Sequence, residues 1–130
     1  MFDFKLKVLI VDDMMTMRKL VKKTMSTIGF SIFEEAEDGQ KAWGKINENP
    51  DIGLIVSDWN MPNCTGLELL KRVRSDSRFR KIPFILLTAE GEASQVTEAV
   101  AAGVDNYVLK PFTLEALTEK LEQTHKKYSG

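Results

Sequence analysis

The chain has 130 residues, the length of one ordinary domain, and we expect a single domain over residues 1–130. Its 18 Lys and Arg residues nearly balance 19 Asp and Glu residues, and a net charge of −1 argues against a nucleic-acid partner. No apolar run approaches the ~20 residues of a membrane helix and Cys64 is the only cysteine, so we expect a cytoplasmic protein without a disulfide or a membrane partner.

Apolar segments of strand length recur five times along the chain, and a segment of helical periodicity follows each of them. The predicted strands are Lys7–Val11, Phe30–Ala36, Ile52–Ser57, Ile82–Thr88 and Asn106–Leu109. Strands that alternate with helices over short loops are typical of an α/β domain. We therefore predict a parallel, doubly wound, five-stranded sheet of the flavodoxin-like order 2-1-3-4-5, with five helices.

Sequence signals mark the boundaries of the predicted helices. The boundary residues are Gly29 at the end of the first helix, Asp38-Gly39 and Asn49-Pro50 at the two ends of the second, Thr65-Gly66-Leu67-Glu68 as a capping box on the third, Ala93 and Ala102 near the ends of the fourth, and Thr113 at the start of the fifth. Residues at helical spacing predict the interior faces of three helices: Met17, Leu20, Val21, Thr24, Met25 and Ile28 in the first, Val96, Ala99 and Val100 in the fourth, and Leu114, Leu117 and Leu121 in the fifth.

Polar residues stand where the predicted strands end. In chain order they are Asp12 and Asp13, Asp58, Thr88, and Lys110. Because the carboxyl ends of parallel strands meet at one edge of the sheet, where ligands of such folds collect, we expect these side chains to converge there.

Three carboxylates in one crevice favour a bound cation. Two carboxylates about 4 Å apart repel each other by about 4 kcal/mol at an effective dielectric constant near 20, so Asp12, Asp13 and Asp58 need a compensating charge. Ligands that are all oxygen select a hard ion, and a site with few carboxylates and room for water suits Mg²⁺ better than Ca²⁺. We predict a Mg²⁺ site.

The remaining residues of the set suit a phosphoryl group. A lysine and a hydroxyl beside Mg²⁺ can bind phosphoryl oxygens, and a carboxylate can attack phosphorus to form an aspartyl phosphate. Asp58 is the best candidate for this nucleophile because it stands alone on the central third strand, which leaves Asp12 and Asp13 for the metal.

The sequence resembles the response-regulator receiver domains of bacterial two-component signalling over nearly its whole length. The matching motifs are VDD at Val11–Asp13, SDWNMPN at Ser57–Asn63, GLELLK at Gly66–Lys71, TAE at Thr88–Glu90, AGV at Ala102–Val104 and YVLKPFT at Tyr107–Thr113. The run Asp58–Pro62, together with EEAEDG at Glu34–Gly39, is most similar to the single-domain chemotaxis regulators of the CheY type. The resemblance implies a receiver without an output domain.

The resemblance implies a role for each site residue. Asp58 would be the phosphoacceptor; Asp13 and Asp58 would ligate Mg²⁺ together with the backbone carbonyl of Asn60, and Asp12 would act through a metal-bound water. Lys110 would bind the phosphoryl oxygens.

Other positions carry family roles outside metal binding. The Thr88 hydroxyl would turn toward the phosphoryl group, and Tyr107 would then swing inward as the switch residue. Asn60 and Glu90 would tune dephosphorylation, and Lys110-Pro111 would be a cis peptide.

The resemblance also implies partners. A histidine kinase of the CheA type would be the phosphodonor, a flagellar motor switch protein of the FliM type would bind the face formed by the fourth helix, fifth strand and fifth helix, and a phosphatase is a further possible partner. The protein would be a monomeric signalling phosphoacceptor that catalyses only its own phosphorylation and dephosphorylation. A phosphorelay or phosphate-sink receiver without motor contact is the alternative.

The sequence departs from this group of regulators at a few positions. Met14 and Met15 stand where Phe and Ser are common, Cys64-Thr65 replaces the usual Met-Asp, and the fourth helix lacks the lysines often found at its start. Thr65 can still begin the third helix through its capping box.

Two enzyme or carrier classes with related features fail at specific residues. A flavodoxin-like electron carrier must receive a flavin phosphate in its first β-α loop, where Asp12 and Asp13 would repel it. A haloacid-dehalogenase-like phosphatase needs a second acid two residues after its nucleophile. Asn60 follows Asp58 at that spacing, and Met14 follows Asp12.

Overall fold

A computed structural model describes residues 2–89 and 93–129 of the chain. In the described part, five strands alternate with five helices. In chain order they are β1 (Lys7–Val11), α1 (Met15–Ile28), β2 (Ile32–Ala36), α2 (Gly39–Glu48), β3 (Ile52–Asp58), α3 (Gly66–Ser75), β4 (Phe84–Ala89), α4 (Ala93–Ala101), β5 (Asn106–Lys110) and α5 (Leu114–Ser129). Among these helices, none is both long and apolar enough to cross a lipid bilayer.

The strands form one parallel sheet in the order β2-β1-β3-β4-β5. This order confirms the predicted doubly wound fold. It places β1 and β3 side by side at the centre, and the connections run in opposite directions from this point. The carboxyl ends of β1 and β3 therefore border the crevice in which ligands of such sheets bind.

Residues of each central strand alternate between two hydrophobic cores. Val8 and Ile10 of β1 belong to the core beneath α1 and α5, whereas Leu9 and Val11 belong to the core on the opposite face. All four are at most 1% exposed, which accounts for the unbroken apolar run in this strand. Burying each such side chain contributes about 1.5–3 kcal/mol.

Two predicted strands begin later than expected, for reasons of backbone hydrogen bonding. Phe30 was predicted to open the second strand, but its N–H donates to the Met25 carbonyl at 3.1 Å and closes the end of α1. In the fourth strand, Pro83 has no N–H to donate, and the strand begins at Phe84.

Three residues predicted on interior helix faces are exposed. Leu20 is 47% exposed, Val100 is 61% exposed and Leu114 is 40% exposed. Helical spacing identifies the apolar face but does not define its edges, which depend on how far the sheet extends beneath the helix. Val21, Met25, Ala99, Leu117 and Leu121 are buried as predicted.

Asp105 forms a hydrogen-bond network at the edge of the sheet opposite the carboxyl ends of the strands. Its Oδ2 accepts hydrogen bonds from the Phe84 N–H at 2.9 Å, the Arg74 guanidinium at 2.9 Å and the Tyr128 hydroxyl at 2.8 Å. Burial and this carboxylate both raise the pKa of Tyr128. One carboxylate therefore joins α3, the start of β4 and the end of α5.

Candidate functional site

The predicted site residues come together at the carboxyl edge of the sheet. Asp12 directly follows β1, Asp58 is the last residue of β3, and Lys110 is the last residue of β5. In the sheet register Asp58 is paired with Leu87, the residue before Thr88, and Lys110 is paired with Ala89. Parallel pairing thus gathers residues that are far apart in the sequence.

Three carboxylates of this edge form a cluster that can hold a metal ion. Oxygen atoms of Asp12, Asp13 and Asp58 all lie within 4.8 Å of one another. Asp12 and Asp58 are buried, whereas Asp13 is exposed at the rim. The donor set is all oxygen, which fits a hard divalent cation such as Mg²⁺.

Among the described residues, Lys110 pairs with two carboxylates of this cluster. Its Nζ lies 2.6 Å from Asp58 Oδ1 and 3.7 Å from Asp12 Oδ2. One ammonium against three carboxylates leaves two negative charges uncompensated within the cluster. A divalent cation would balance that charge, in agreement with the donor chemistry.

Two buried oxygen atoms at the site lack a hydrogen-bond partner in the described structure. They are Asp12 Oδ2 and the Thr88 hydroxyl, and both residues are 1% exposed. The other oxygen of Asp12 is satisfied, because the Met14 N–H donates to Oδ1 at 2.9 Å. Leaving a buried polar atom unpaired costs about 1–3 kcal/mol, and a ligand at the site would remove that cost.

Burial raises the pKa of Asp12, and the negative charge of Asp58 raises it further. The native state thus binds the Asp12 proton more tightly than the unfolded chain does. The resulting contribution to the free energy of unfolding is fully present below the ordinary pKa of 3.8 and is lost as the pH rises through the native value.

Asp12→Asn is therefore expected to stabilise the protein at neutral pH when divalent cations are absent. The amide stays neutral and its oxygen can still accept from the Met14 N–H. Urea unfolding of both proteins in EDTA, repeated at decreasing pH, should show a stability gain that narrows as Asp12 of the parent takes up its proton. A variant that is no more stable than the parent at neutral pH would contradict this account.

A close approach of the β3-α3 loop to Asp58 holds the site in place. A Cβ atom at Gly66 would lie 2.3 Å from the Asp58 carbonyl oxygen, so only glycine fits there. The Gly66 N–H donates to the Trp59 carbonyl at 2.9 Å, and the Trp59 N–H donates to Leu87 of β4. The predicted capping box between Thr65 and Glu68 is present directly after this contact.

Arg18 is a neighbour of the site that the sequence reasoning missed. Its guanidinium donates to the Asp12 carbonyl at 2.7 Å and pairs with Glu35 at 3.3 Å. A basic residue in the first turns of α1 was the only sequence signal available. Nothing in its spacing distinguished it from a solvent-exposed lysine.

The remaining predicted residues lie around the cluster or outside the described part. Asn60 is exposed in the β3-α3 loop, and Tyr107 is half-buried with its ring 5.1 Å from Lys120 Nζ. The Lys110-Pro111 peptide is cis, as the resemblance implied. Glu90 lies outside the described residues.

Comparison with known proteins agrees with this geometry. The sequence pattern of the response regulator receiver domain matches residues 8–122. The chain is 50% identical over 117 residues to the chemotaxis protein CheY1 of Helicobacter pylori, which covers 90% of this chain and 94% of that protein. A CheY homolog of Campylobacter jejuni is 44% identical and covers 90% of each chain.

A solved structure of a chemotaxis regulator has the same fold. The chemotaxis response regulator CheY4 of Vibrio cholerae superposes with a TM-score of 0.82 at 35% identity, and the match covers 92% of this chain and 98% of that one. The sequence pattern, the relatives and the fold therefore agree. The relatives described above are chemotaxis proteins of the CheY type, and the chain belongs to the response regulator receiver domain family.

Proposed function

We propose that this protein is a chemotaxis switch in which Asp58 accepts a phosphoryl group from a histidine kinase in the presence of Mg²⁺. The observation that carries the proposal is the contact between Lys110 and Asp58 at a site with two buried oxygens that lack a hydrogen-bond partner in the described structure. A structural ion pair alone would not need an unsatisfied Thr88 hydroxyl next to it. A phosphoryl group on Asp58 would supply an acceptor for both the ammonium and the hydroxyl.

Asp13, Asp58 and the backbone carbonyl of Asn60 would hold Mg²⁺, and Asp12 would act through a metal-bound water. The exposed Asp13 carboxylate would be accessible to an ion that enters from solvent. The buried Asp12 carboxylate would add negative charge on the interior side of the bound ion. Bound Mg²⁺ supplies charge neutralisation for the phosphoryl oxygens during transfer.

In the proposed reaction an Asp58 carboxylate oxygen attacks phosphorus opposite the phosphohistidine nitrogen. The new O–P bond forms as the P–N bond breaks, and the electron pair of the P–N bond stays with the departing imidazole. Lys110 is already 2.6 Å from Asp58 Oδ1 and would shift to the phosphoryl oxygens. The protein catalyses only its own phosphorylation and dephosphorylation, the latter tuned by Asn60 and Glu90.

The output surface is the face formed by α4, β5 and α5. Two of its apolar side chains, Val100 at 61% and Leu109 at 45%, are exposed and accessible to a partner. Phosphorylation would draw Thr88 toward the phosphoryl group, and Tyr107 would move inward from its present contact with Lys120. The partner for this altered face is the flagellar motor switch protein.

A single-domain phosphorelay or phosphate-sink receiver is the second candidate. The α4 sequence ASQVTEAVA carries no basic residue, so it lacks the lysines often found near the start of this helix in the regulators that the sequence resembles. In that case the same chemistry at Asp58 would serve a different kinase pathway without motor contact. Both candidates act as monomers in the cytoplasm.

Binding of a motor-switch N-terminal peptide separates these two functions. We expect beryllium fluoride with Mg²⁺, a mimic of the aspartyl phosphate, to raise the peptide affinity about tenfold, within the usual range of allosteric coupling. Isothermal titration calorimetry with and without the mimic measures this gain. Equal affinities would exclude the motor function and favour the phosphorelay or phosphate sink.

A further inference from the structure

Asp38 uses its two carboxylate oxygens for two different partners. It precedes α2 and is 5% exposed. Oδ1 accepts from the Lys41 N–H at 2.8 Å, which caps the helix. Oδ2 accepts from the Asn63 side-chain amide at 3.2 Å, across 25 positions of sequence.

Asn63 lies in the loop that follows Asp58 and leads to α3. Its φ of 66° is the only positive value of a non-glycine residue in the described chain, and asparagine tolerates this conformation well. The next residue, Cys64, accepts from the Gly39 N–H at 3.0 Å. A Cβ at Gly39 would lie 2.6 Å from that carbonyl, so loop and helix are in direct backbone contact.

The segment that contains Asp38, residues 36–39, also bonds the loop that carries Asp12 and Asp13. The Asp12 N–H donates to the Ala36 carbonyl at 3.1 Å, only two residues before Asp38. Residues 36–39 are therefore bonded to the loop that carries Asp12 on one side and to the loop that carries Asn60 on the other. They thus link the two loops that carry the proposed metal ligands.

We propose that Asp38 is a positioning residue for the metal site, acting through Asn63 on the loop that presents the Asn60 carbonyl. A helix cap needs one oxygen, and serine supplies it as well as aspartate does. The second oxygen belongs to a buried carboxylate and bonds the exposed Asn63 side chain of the loop. This inference rests on the proposed metal site and names a residue that acts on it from outside the cluster.

Asp38→Ser is the direct test, because it keeps the cap and removes the contact with Asn63. We expect its Mg²⁺ affinity to be about tenfold weaker than that of the parent, the low end of the effect of residues that orient metal ligands. Fluorescence titration with MgCl₂ measures this, since Trp59 directly follows Asp58. Asp76→Ser is the matched control: it removes the same charge and a carboxylate that bonds Arg78 at the opposite end of α3.

Two more variants isolate the hydrogen bond. Asp38→Asn should restore the parent affinity, because its amide can donate to the Asn63 oxygen once that side chain turns over. Asn63→Gly keeps the positive φ and the helix cap but loses the contact, and should weaken Mg²⁺ binding like Asp38→Ser. Asn63→Gly also tests the role of this contact if Asp38→Ser does not fold.

The outcomes distinguish this inference from the proposed function. A parent protein that does not bind Mg²⁺ would overturn the metal site itself, and the positioning role with it. Normal binding by the parent together with equal affinity in Asp38→Ser and Asn63→Gly would overturn only the positioning role. So would an Asp38→Asn variant as weak as Asp38→Ser, because the charge and not the hydrogen bond would then matter.

Discussion

Asp58→Asn is expected to abolish phosphoryl uptake from a small-molecule phosphodonor such as acetyl phosphate in the presence of Mg²⁺. An amide is not a nucleophile at neutral pH, and the substitution also removes one proposed metal ligand. Intact-protein mass spectrometry should show one added phosphoryl group on the parent and none on the variant. This is the largest effect that we expect from any single substitution in the chain.

Asp51→Asn is the matched control for this experiment. Asp51 is an exposed aspartate that pairs with Lys7 at the other end of the sheet, so the same chemical change there should leave uptake intact. An Asp58→Asn variant that still gained one phosphoryl group on an aspartate would move the nucleophile to another residue, and Asp13 would be the next candidate because it is exposed.

The fold was largely predictable because its signals are local and repeated. Five apolar runs of strand length alternate with helical segments, and Gly29, Asp38 and Thr65 mark helix ends where the structure has them. The candidate site followed from the same reasoning, since parallel strands must bring their final residues to one edge.

Hydrogen bonds between distant side chains were not predictable in this way. Asp38 was identified only as a helix start, and its bond to Asn63 depends on how the β3-α3 loop packs against α2. Asp105, which joins three elements, has no periodicity or motif to reveal it. Such contacts depend on tertiary packing, on which a pattern of residue types carries little information.

The exposure of Leu20 has the same origin. Its helical spacing assigned it to the interior face of the first helix, yet it is 47% exposed in a pocket that Lys110 also lines, near the proposed phosphorylation site. The sequence shows that a residue is apolar. It does not show whether the sheet or a binding partner buries that side chain. Side chains around a functional site are therefore where such predictions fail most readily.

Lys110→Ala is expected to uncouple phosphorylation from partner binding. Asp58 would still accept the phosphoryl group, but no ammonium would remain to bind its oxygens and hold the Thr88 side of the site in its activated position. The gain in affinity for a motor-switch peptide on addition of beryllium fluoride should fall to near unity, measured by the same calorimetry as for the parent. Mg²⁺ binding should not weaken, because the variant removes a positive charge that lies 2.6 Å from Asp58.

Lys7→Ala is the matched control for Lys110→Ala. The two lysine side chains are similarly covered, at 22% and 24% exposure, and each pairs with an aspartate, but Lys7 lies at the opposite end of the sheet. It should keep the full coupling. An unchanged affinity gain in Lys110→Ala would show that the ammonium only neutralises the resting acidic cluster, and the signal would then have to pass through Thr88 alone.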